Sequence, residues 1–286
     1  MPIAVNGIVY ESSLNTMVIS SSDITQKTYK KLVFQVSLTE LSFCVIDLIT
    51  HKILHTQEVH FEKNKVIEEQ LWRAFVDFSI LANAYDEVVV LHNNSLNALV
   101  PTSLFDPAFL ASYLQYNIKV FETDFFAYDT LLPYEINNVY VPFMNINNFL
   151  LDQFESFDYK NSNSILLKKC LEFSKNKEEK LVFVHVQKEH FELVVVKNQE
   201  LLLFNSFQYT TAEDFIYYLL FTCEQLQLNP ETVTVKLLGK CSEEDALYKM
   251  AFTYIRNCSL FEVAHLTAGL DVSETALRNH FILYHS

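Results

Sequence analysis

The chain has 286 residues, half of them apolar, so it is long enough for one large domain or two medium ones with a substantial core. Its formal net charge is −14, and Lys and Arg are dispersed along it, which argues against a nucleic-acid or anionic-membrane surface and favours a basic or neutral partner. Only 3 glycines are present, so a nucleotide site built from glycine-rich phosphate loops is disfavoured.

The sequence also gives little sign of a targeting signal, a disulfide framework or a zinc site. No apolar run approaches the roughly 20 residues that span a bilayer, and the N-terminus lacks the basic start and apolar core of a secretory signal. The 5 cysteines include no Cys-x-x-Cys pair, which indicates reduced thiols instead of disulfides or a zinc site. We therefore expect a cytoplasmic protein without a membrane span.

Three short strands joined by tight hairpins are predicted from Leu32 to Phe61, after a Ser-rich lead-in. Apolar runs alternate there with polar turns at Thr39–Ser42 and Thr50–Lys52. An amphipathic helix follows over residues 66–82, because apolar side chains recur three and four positions apart. Val88–Leu91 is then predicted to be a buried strand.

The first half is predicted to end with a helix and a strand. Asp106-Pro107 opens the helix, which runs through Tyr116, and the strand covers Ile118–Phe121. A looser connector starts at about residue 126, and Asn161–Ser164 reads as a linker. We place the domain boundary near residue 160, which gives an N-terminal domain at 1–160 and a C-terminal domain at 161–286.

The second half repeats this order of elements. A strand trio at Leu181–Tyr209 has polar turns at Gln187–His190 and Lys197–Glu200. The remaining predicted elements are a helix at Ala212–Leu226 capped by Thr210 with Glu213, a strand at Val233–Leu238, a loop at Gly239–Cys241, a helix from Ser242 with Asp245 to about Asn257, a strand at Leu260–His265 and a closing helix at Ser273–Tyr284.

This duplication resembles the paired ribonuclease-H-like domains of the actin, sugar-kinase and heat-shock ATPase superfamily. Within it the chain is similar to an uncharacterised bacterial family of unknown function and, more distantly, to actin-like pilus assembly proteins of the PilM kind. The resemblance is carried by Leu181-Val-Phe-Val-His-Val, His190-Phe-Glu-Leu-Val-Val-Val and Leu201-Leu-Leu-Phe-Asn-Ser-Phe. It implies an α/β fold of two tandem domains, each a mixed five-stranded sheet with flanking helices, and a cleft between them.

The same resemblance implies an ATP site in that cleft, bounded by the first hairpin turn of each copy and by a glycine-rich turn in the second. Here the hairpin turn of the first copy lacks the Asp and Gly of the superfamily pattern, and the hairpin turn of the second copy lacks its Asp-x-Gly. The glycine-rich turn retains one glycine, Gly239. Two carboxylates at the turns would repel a triphosphate by on the order of 1 kcal/mol. We expect a degenerate site without catalytic residues, resident metal or cofactor, and the candidate cleft residues are Glu40, Ser42, Lys188, Glu189, His190, Gly239 and Lys240.

Three functions stay open from the sequence. The first is a non-enzymatic scaffold or adaptor that binds another protein through the cleft or through the aromatic-rich segment Phe125–Tyr159, which is otherwise a packed connector. The alternative is a divergent ATP-dependent phosphotransferase or ATPase, with Lys188 or Lys240 on the phosphates and Glu40 or Glu189 on Mg²⁺. The third is a small-ligand or metal sensor. Partner and oligomeric state stay open.

Overall fold

The protein is described by a computed structural model over residues 27–121, 123–263 and 272–286. The strands are β1 Lys30–Val36, β2 Glu40–Asp47, β3 Ile53–His60, β4 Glu87–His92, β5 Asn97–Pro101, β6 Ala127–Leu131, β7 Ile136–Tyr140, β8 Asp158–Asn161, β9 Leu181–Val186, β10 His190–Lys197, β11 Glu200–Gln208, β12 Thr234–Gly239 and β13 Asn257–Leu260. The α-helices are α1 Ile67–Asp77, α2 Leu110–Leu114, α3 Met144–Leu151, α4 Ser162–Phe173, α5 Ala212–Gln225, α6 Ala246–Tyr254, α7 Glu274–Asn279 and α8 Phe281–Tyr284. None of the helices in these ranges combines the length and apolarity needed to cross a membrane.

The two predicted strand trios form the matching parts of two five-stranded mixed sheets. The strand order is β3-β2-β1-β4-β8 in the first sheet and β11-β10-β9-β12-β13 in the second. In both sheets the trio is antiparallel and the last two strands are added in parallel. All residues of β9 are buried, which matches its unbroken run of apolar side chains between two covered faces. The predicted duplicated α/β fold is confirmed.

A third sheet, of three antiparallel strands in the order β5-β7-β6, is inserted between β4 and β8. The sequence interpretation missed most of it. The predicted strand at Ile118–Phe121 is wrong, since those residues lie outside every strand, and the fifth strand of the first sheet is β8. The predicted linker Asn161–Ser164 is also wrong, because all four residues are buried where β8 passes into α4.

Helix ends in the second half differ from the prediction by one to a few residues. Helix α5 is capped by Thr211, whose side chain accepts from the Asp214 amide, instead of by Thr210 with Glu213. Helix α6 begins after Asp245 and ends at Tyr254, so β13 starts earlier than predicted. The Ser-rich lead-in and the end of the predicted strand at Leu260–His265 lie outside the described residues.

One apolar core joins the two halves. It contains Val33 of β1, Leu166 of α4, Phe183 of β9 and Leu283 of α8, all at most 2% exposed. The C-terminal helix α8 belongs to the second half but lies against β1 and β2 of the first. Its Tyr284 hydroxyl donates to Thr56 Oγ1 at 2.9 Å. Both sheets are therefore packed into one unit, and the predicted division near residue 160 stays a prediction.

Candidate functional site

Two carboxylates and a histidine meet on the β2–β3 hairpin. The antiparallel register places Glu40 opposite His60 and Ser42 opposite Glu58, so alternate residues of both strands share one face. The imidazole lies between the two acids, with Nδ1 3.4 Å from Glu40 Oε2 and Nε2 3.3 Å from Glu58 Oε1. Ser42 Oγ donates to Glu40 Oε1 at 3.2 Å. These oxygens and nitrogens form an acidic pocket that attracts a cation.

The cation in this pocket is Lys240, which directly follows the Gly239 turn of the second half. Gly239 has a φ of +85°, and a Cβ there would lie 2.3 Å from the Val186 carbonyl oxygen, so only glycine fits this turn. Immediately after it, the Lys240 amide donates to the same carbonyl at 2.8 Å. The glycine therefore allows β12 to approach β9 closely, and it fixes the backbone position of Lys240.

Lys240 joins the halves by ion pairs with both carboxylates. Its Nζ lies 2.5 Å from Glu40 Oε2 and 3.0 Å from Glu58 Oε1, and all three side chains are largely withdrawn from solvent. His280 Nε2 lies 3.9 Å from Glu58 Oε2. Burial lowers the pKa of His280, assisted by the Lys240 charge and opposed by Glu58 and Glu40, which favours the neutral imidazole. We refer to Glu40, Glu58, His60 and Lys240 as the lysine clamp.

A second, exposed ion pair also bridges the halves. Lys63, just after β3, lies 2.9 Å from Glu189 in the β9–β10 turn. Its hydrogen bond and charge lower the pKa of the Glu189 carboxyl. Glu40 and Glu189 were expected to face an open phosphate space. Each instead contacts a lysine of the opposite half.

A buried acid lies between two histidines beside the clamp. Glu192 Oε2 is 2.8 Å from His185 Nδ1, and its Oε1 is 3.1 Å from His190 Nε2. Burial acts to raise the pKa of Glu192, but the His190 charge and the hydrogen bonds from both rings outweigh it and lower that pKa to about 2. Burial likewise acts to lower the pKa of His190, and Glu192 reverses the shift. The His185 ring of this trio also lies against Gly239, where an added Cβ would be 3.1 Å from His185 Cδ2.

Six of the seven candidate residues named from sequence fall into three groups. Glu40, Ser42, Gly239 and Lys240 belong to or support the clamp, and Glu189 belongs to the exposed pair. His190 belongs to the buried trio, whereas Lys188 is exposed and forms no ion pair among the described residues. Sequence reasoning missed Glu58, Lys63 and Glu192. The β2–β3 register would have placed Glu58 beside Ser42, whereas the partners of Lys63 and Glu192 follow from the tertiary fold and from the β9–β10 register.

The nucleotide implied by the fold class does not fit these residues. Phosphates bind where free backbone amides and unpaired cations converge. Here Lys240 is already shared by two carboxylates, and Gly239 is pressed against Val186. Glu40 and Glu189, each already paired with a lysine of the opposite half, add carboxylate charge that repels a triphosphate.

The aromatic segment Phe125–Tyr159 is mostly packed. Phe126 contacts the core beside the small sheet, and Phe157 and Tyr159 contact the core of the first half. Tyr128 remains 43% exposed although its ring lies 4.8 Å from Phe105. The packed-connector interpretation therefore accounts for most of these side chains.

Comparison with known proteins agrees with this architecture. A family model described as "Protein of unknown function (DUF3822)" matches residues 19–258. The chain belongs to the DUF3822 family. No curated protein sequence matches it.

Two solved structures share the fold of this DUF3822 protein. A Bacteroides thetaiotaomicron VPI-5482 protein with an actin-like ATPase fold and unknown function is 20% identical, with a TM-score of 0.75 over 86% of this chain and 98% of the other. PilM, from a PilM-PilN type IV pilus biogenesis complex, is 12% identical, with a TM-score of 0.59 over 89% of this chain and 96% of the other. At these identities the likeness shows the fold alone.

Proposed function

We propose that this DUF3822 protein is a cytoplasmic, non-enzymatic actin-like scaffold or adaptor that acts by binding another protein. In this proposal the lysine clamp bridges the cleft in which relatives of the fold class hold a nucleotide. The main support for the proposal is the lysine clamp, in which Lys240 Nζ lies 2.5 Å from Glu40 Oε2 and 3.0 Å from Glu58 Oε1. Because the Lys240 ammonium pairs with both carboxylates, the protein supplies a counter-ion of its own across the cleft.

Three further observations support the proposal. The net charge of −14 disfavours recruitment of a polyanionic ligand and favours a basic partner. All five cysteines are free and buried, which suits a reducing compartment. PilM, which has the same fold, occurs in a complex with PilN, so this architecture is compatible with binding a protein.

Calorimetric titration with Mg-ATP, Mg-ADP and free ATP tests the nucleotide-free part of the proposal. We expect no saturable heat in the micromolar range for the wild type. Lys240→Met removes the ammonium and leaves two carboxylates without their cation, so nucleotide binding is expected to stay absent in this variant too. Saturable micromolar binding by the wild type would overturn the proposal.

A divergent phosphotransferase or ATPase is the second candidate, and one observation favours it. Glu40, Glu58 and His60 each offer a ligand atom, and these atoms lie within 4.8 Å of one another, a donor set suited to a divalent cation. Steady-state ATP turnover by the wild type, reduced in Glu40→Gln and Glu58→Gln, would support this candidate. Absence of turnover in the wild type with Mg²⁺ or Mn²⁺ would reject it.

A further inference from the structure

A groove of about 820 Å³ lies between the small sheet and the second five-stranded sheet. One wall contains Asn97–Leu99 of β5, and the other contains six consecutive residues of β11, Leu201–Ser206. Both strands are sheet edges, since β5 pairs only with β7 and β11 only with β10. Successive residues point to opposite faces of a sheet, so a consecutive run lines a groove where the strand's edge faces it. We call this cavity the edge groove.

Of the two strands that line the edge groove, β11 lacks the usual protection of exposed sheet edges. Proteins protect such edges with charged side chains, proline or short length. Three other edges carry an internal charge, namely β3 with Glu58, β6 with Asp129 and β8 with Lys160, and the edge strand β13 has 4 residues. Strand β11 has 9 residues with its one charge at Glu200, whereas β5 carries no charge but has only 5 residues and ends in Pro101. Among the described strands the least protected edge, β11, therefore lines this cavity opposite the uncharged edge of β5.

A buried amide network fixes the β5 wall. Asn97 Nδ2 donates to Asn138 Oδ1 at 2.7 Å, and Asn138 Nδ2 donates to Ser164 Oγ at 2.9 Å. Asn163 Nδ2 donates to Asn97 Oδ1 at 3.3 Å. These bonds tie the small sheet to α4 in the centre of the protein. The groove is consequently preformed, which reduces the ordering entropy that a ligand would have to overcome.

The lining selects the chemistry of an occupant. It combines apolar side chains from Leu201 to Phe204 with uncharged polar ones, and no charged residue lies among its described residues. Six strand residues span about 20 Å, the length of a short extended segment. A second copy of the chain is a poor fit, because the small sheet faces β11 and obstructs direct pairing of two β11 edges.

We propose that the edge groove binds an extended segment of a partner protein, which adds a strand between β11 and β5. The segment is apolar at alternate positions and flanked by Lys or Arg, since the lining is partly apolar and the protein carries a net charge of −14. This inference rests on the proposed protein-binding function and identifies the chemistry of the partner.

Selection from a phage-displayed library of random peptides of about twelve residues tests the inference on the full-length chain. Enriched peptides are expected to carry basic flanks around alternating apolar residues and to bind with a micromolar Kd. In hydrogen exchange they should protect the amides of 201–206 and 97–99. Asn205→Lys places a charge on the exposed β11 edge and is expected to weaken binding about tenfold or more.

Two further variants sharpen the test. Gln115→Lys makes the same charge change on an exposed neighbouring residue outside the groove lining, and it should alter Kd by less than about twofold. Tyr116→Ala, at a lining residue that is 85% exposed, should weaken binding without loss of stability. Circular dichroism and thermal melting confirm that each variant is folded.

Several outcomes would overturn the inference. They are failure to enrich any peptide, protection outside the two edges, equal effects of Asn205→Lys and Gln115→Lys, a dimer that Asn205→Lys dissociates, or binding that is gained only when residues 1–26 are deleted. None of these bears on the nucleotide titration. A failed peptide screen with no nucleotide binding therefore rejects the groove alone, whereas micromolar ATP binding rejects the proposed function.

Discussion

Glu192 is the most deeply buried charge near the clamp, at 2% exposure between His185 and His190. Glu192→Gln removes the charge that both imidazoles contact. Because a buried pair that loses one partner leaves the other uncompensated, we expect a loss of about 3 kcal/mol in the free energy of unfolding near pH 5.5. Urea denaturation followed by circular dichroism measures it.

The pH dependence of that loss follows from the two pKa shifts. The pKa of Glu192 is lowered from 4.5 to about 2, so its contribution is full above 4.5 and is lost as pH falls toward 2. The pKa of His190 is raised above 6.5, so its contribution is full below 6.5 and is lost as pH rises through the folded value. The effect of Glu192→Gln should therefore be largest between about pH 4.5 and 6.5 and smaller near pH 8.5.

Glu189→Gln is the matched control for Glu192→Gln, since it makes the same change in the exposed pair with Lys63. Exposed pairs are screened by water and salt, so its effect should stay below about 1 kcal/mol. Equal losses for the two variants, or a loss at Glu192 that grows from pH 5.5 to 8.5, would contradict the assigned charges.

Gly239 supports a second prediction at the residue scale. Alanine there must adopt a φ of +85° and place Cβ 2.3 Å from a backbone oxygen that has little freedom to move. We expect Gly239→Ala to lower the free energy of unfolding by about 2 kcal/mol or more. Thermal melting monitors the loss, and a variant with wild-type stability would show that the turn has another conformation.

Single residues also show what a sequence reveals of a site. Glu40, Ser42, Gly239 and Lys240 were named from the sequence because they occupy turns where the fold class places ligands. Glu58 was missed, since a strand residue reveals its partner only when the register is known. The ion pair of Glu40 with Lys240 joins residues 200 positions apart, and no local pattern encodes it.

At the scale of elements, the contribution of an N-cap residue to stability can be tested at the start of α5. The Thr211 side chain accepts from the Asp214 amide, and the Asp214 carboxylate accepts from the Thr211 amide, which forms a capping box. Thr211→Ala should therefore destabilise the protein by about 1 kcal/mol. Thr210→Ala is the matched control and should be nearly neutral, because only the Thr210 backbone contacts Asp214. Denaturant midpoints compare the two variants. A larger loss of stability for Thr210→Ala would show that Thr210 is the cap, as the sequence predicts.

Elements differ in how far the sequence predicts them. The trios β1–β3 and β9–β11 were predicted because long apolar runs with polar turns make strands almost independently of context. The small sheet was largely missed because β7 contains Asn137 and Asn138, polar residues that strands rarely bury. Tertiary hydrogen bonds to Thr130 and Ser164 make their burial favourable. The 4-residue strand β8 was missed for the same reason, because its polar sequence gives no strand signal.

At the scale of the whole molecule, three sets of contacts hold the halves together, besides side-chain hydrogen bonds such as that from Tyr284 to Thr56. The three sets are the lysine clamp, the exposed pair of Lys63 with Glu189, and the apolar core around α4 and α8. Exposed ion pairs contribute little, whereas burial of several large apolar side chains contributes much more. The core therefore determines the cohesion of the halves, and the clamp determines which groups face each other in the cleft.

Cooperative unfolding is the consequence of that shared core. Leu283 is fully buried where α8 of the second half meets β1 and β2 of the first. Leu283→Ala should lower the free energy of unfolding by about 3 kcal/mol and should do so equally for both halves. Hydrogen exchange along a urea titration would report this as simultaneous loss of protection in β1 and β9. Ile49→Ala, at a residue that is 67% exposed, is the control and should change stability by less than about 0.5 kcal/mol. Loss of protection in one sheet at a lower urea concentration than in the other would show that the halves unfold independently and that the core between them is weaker than its burial indicates.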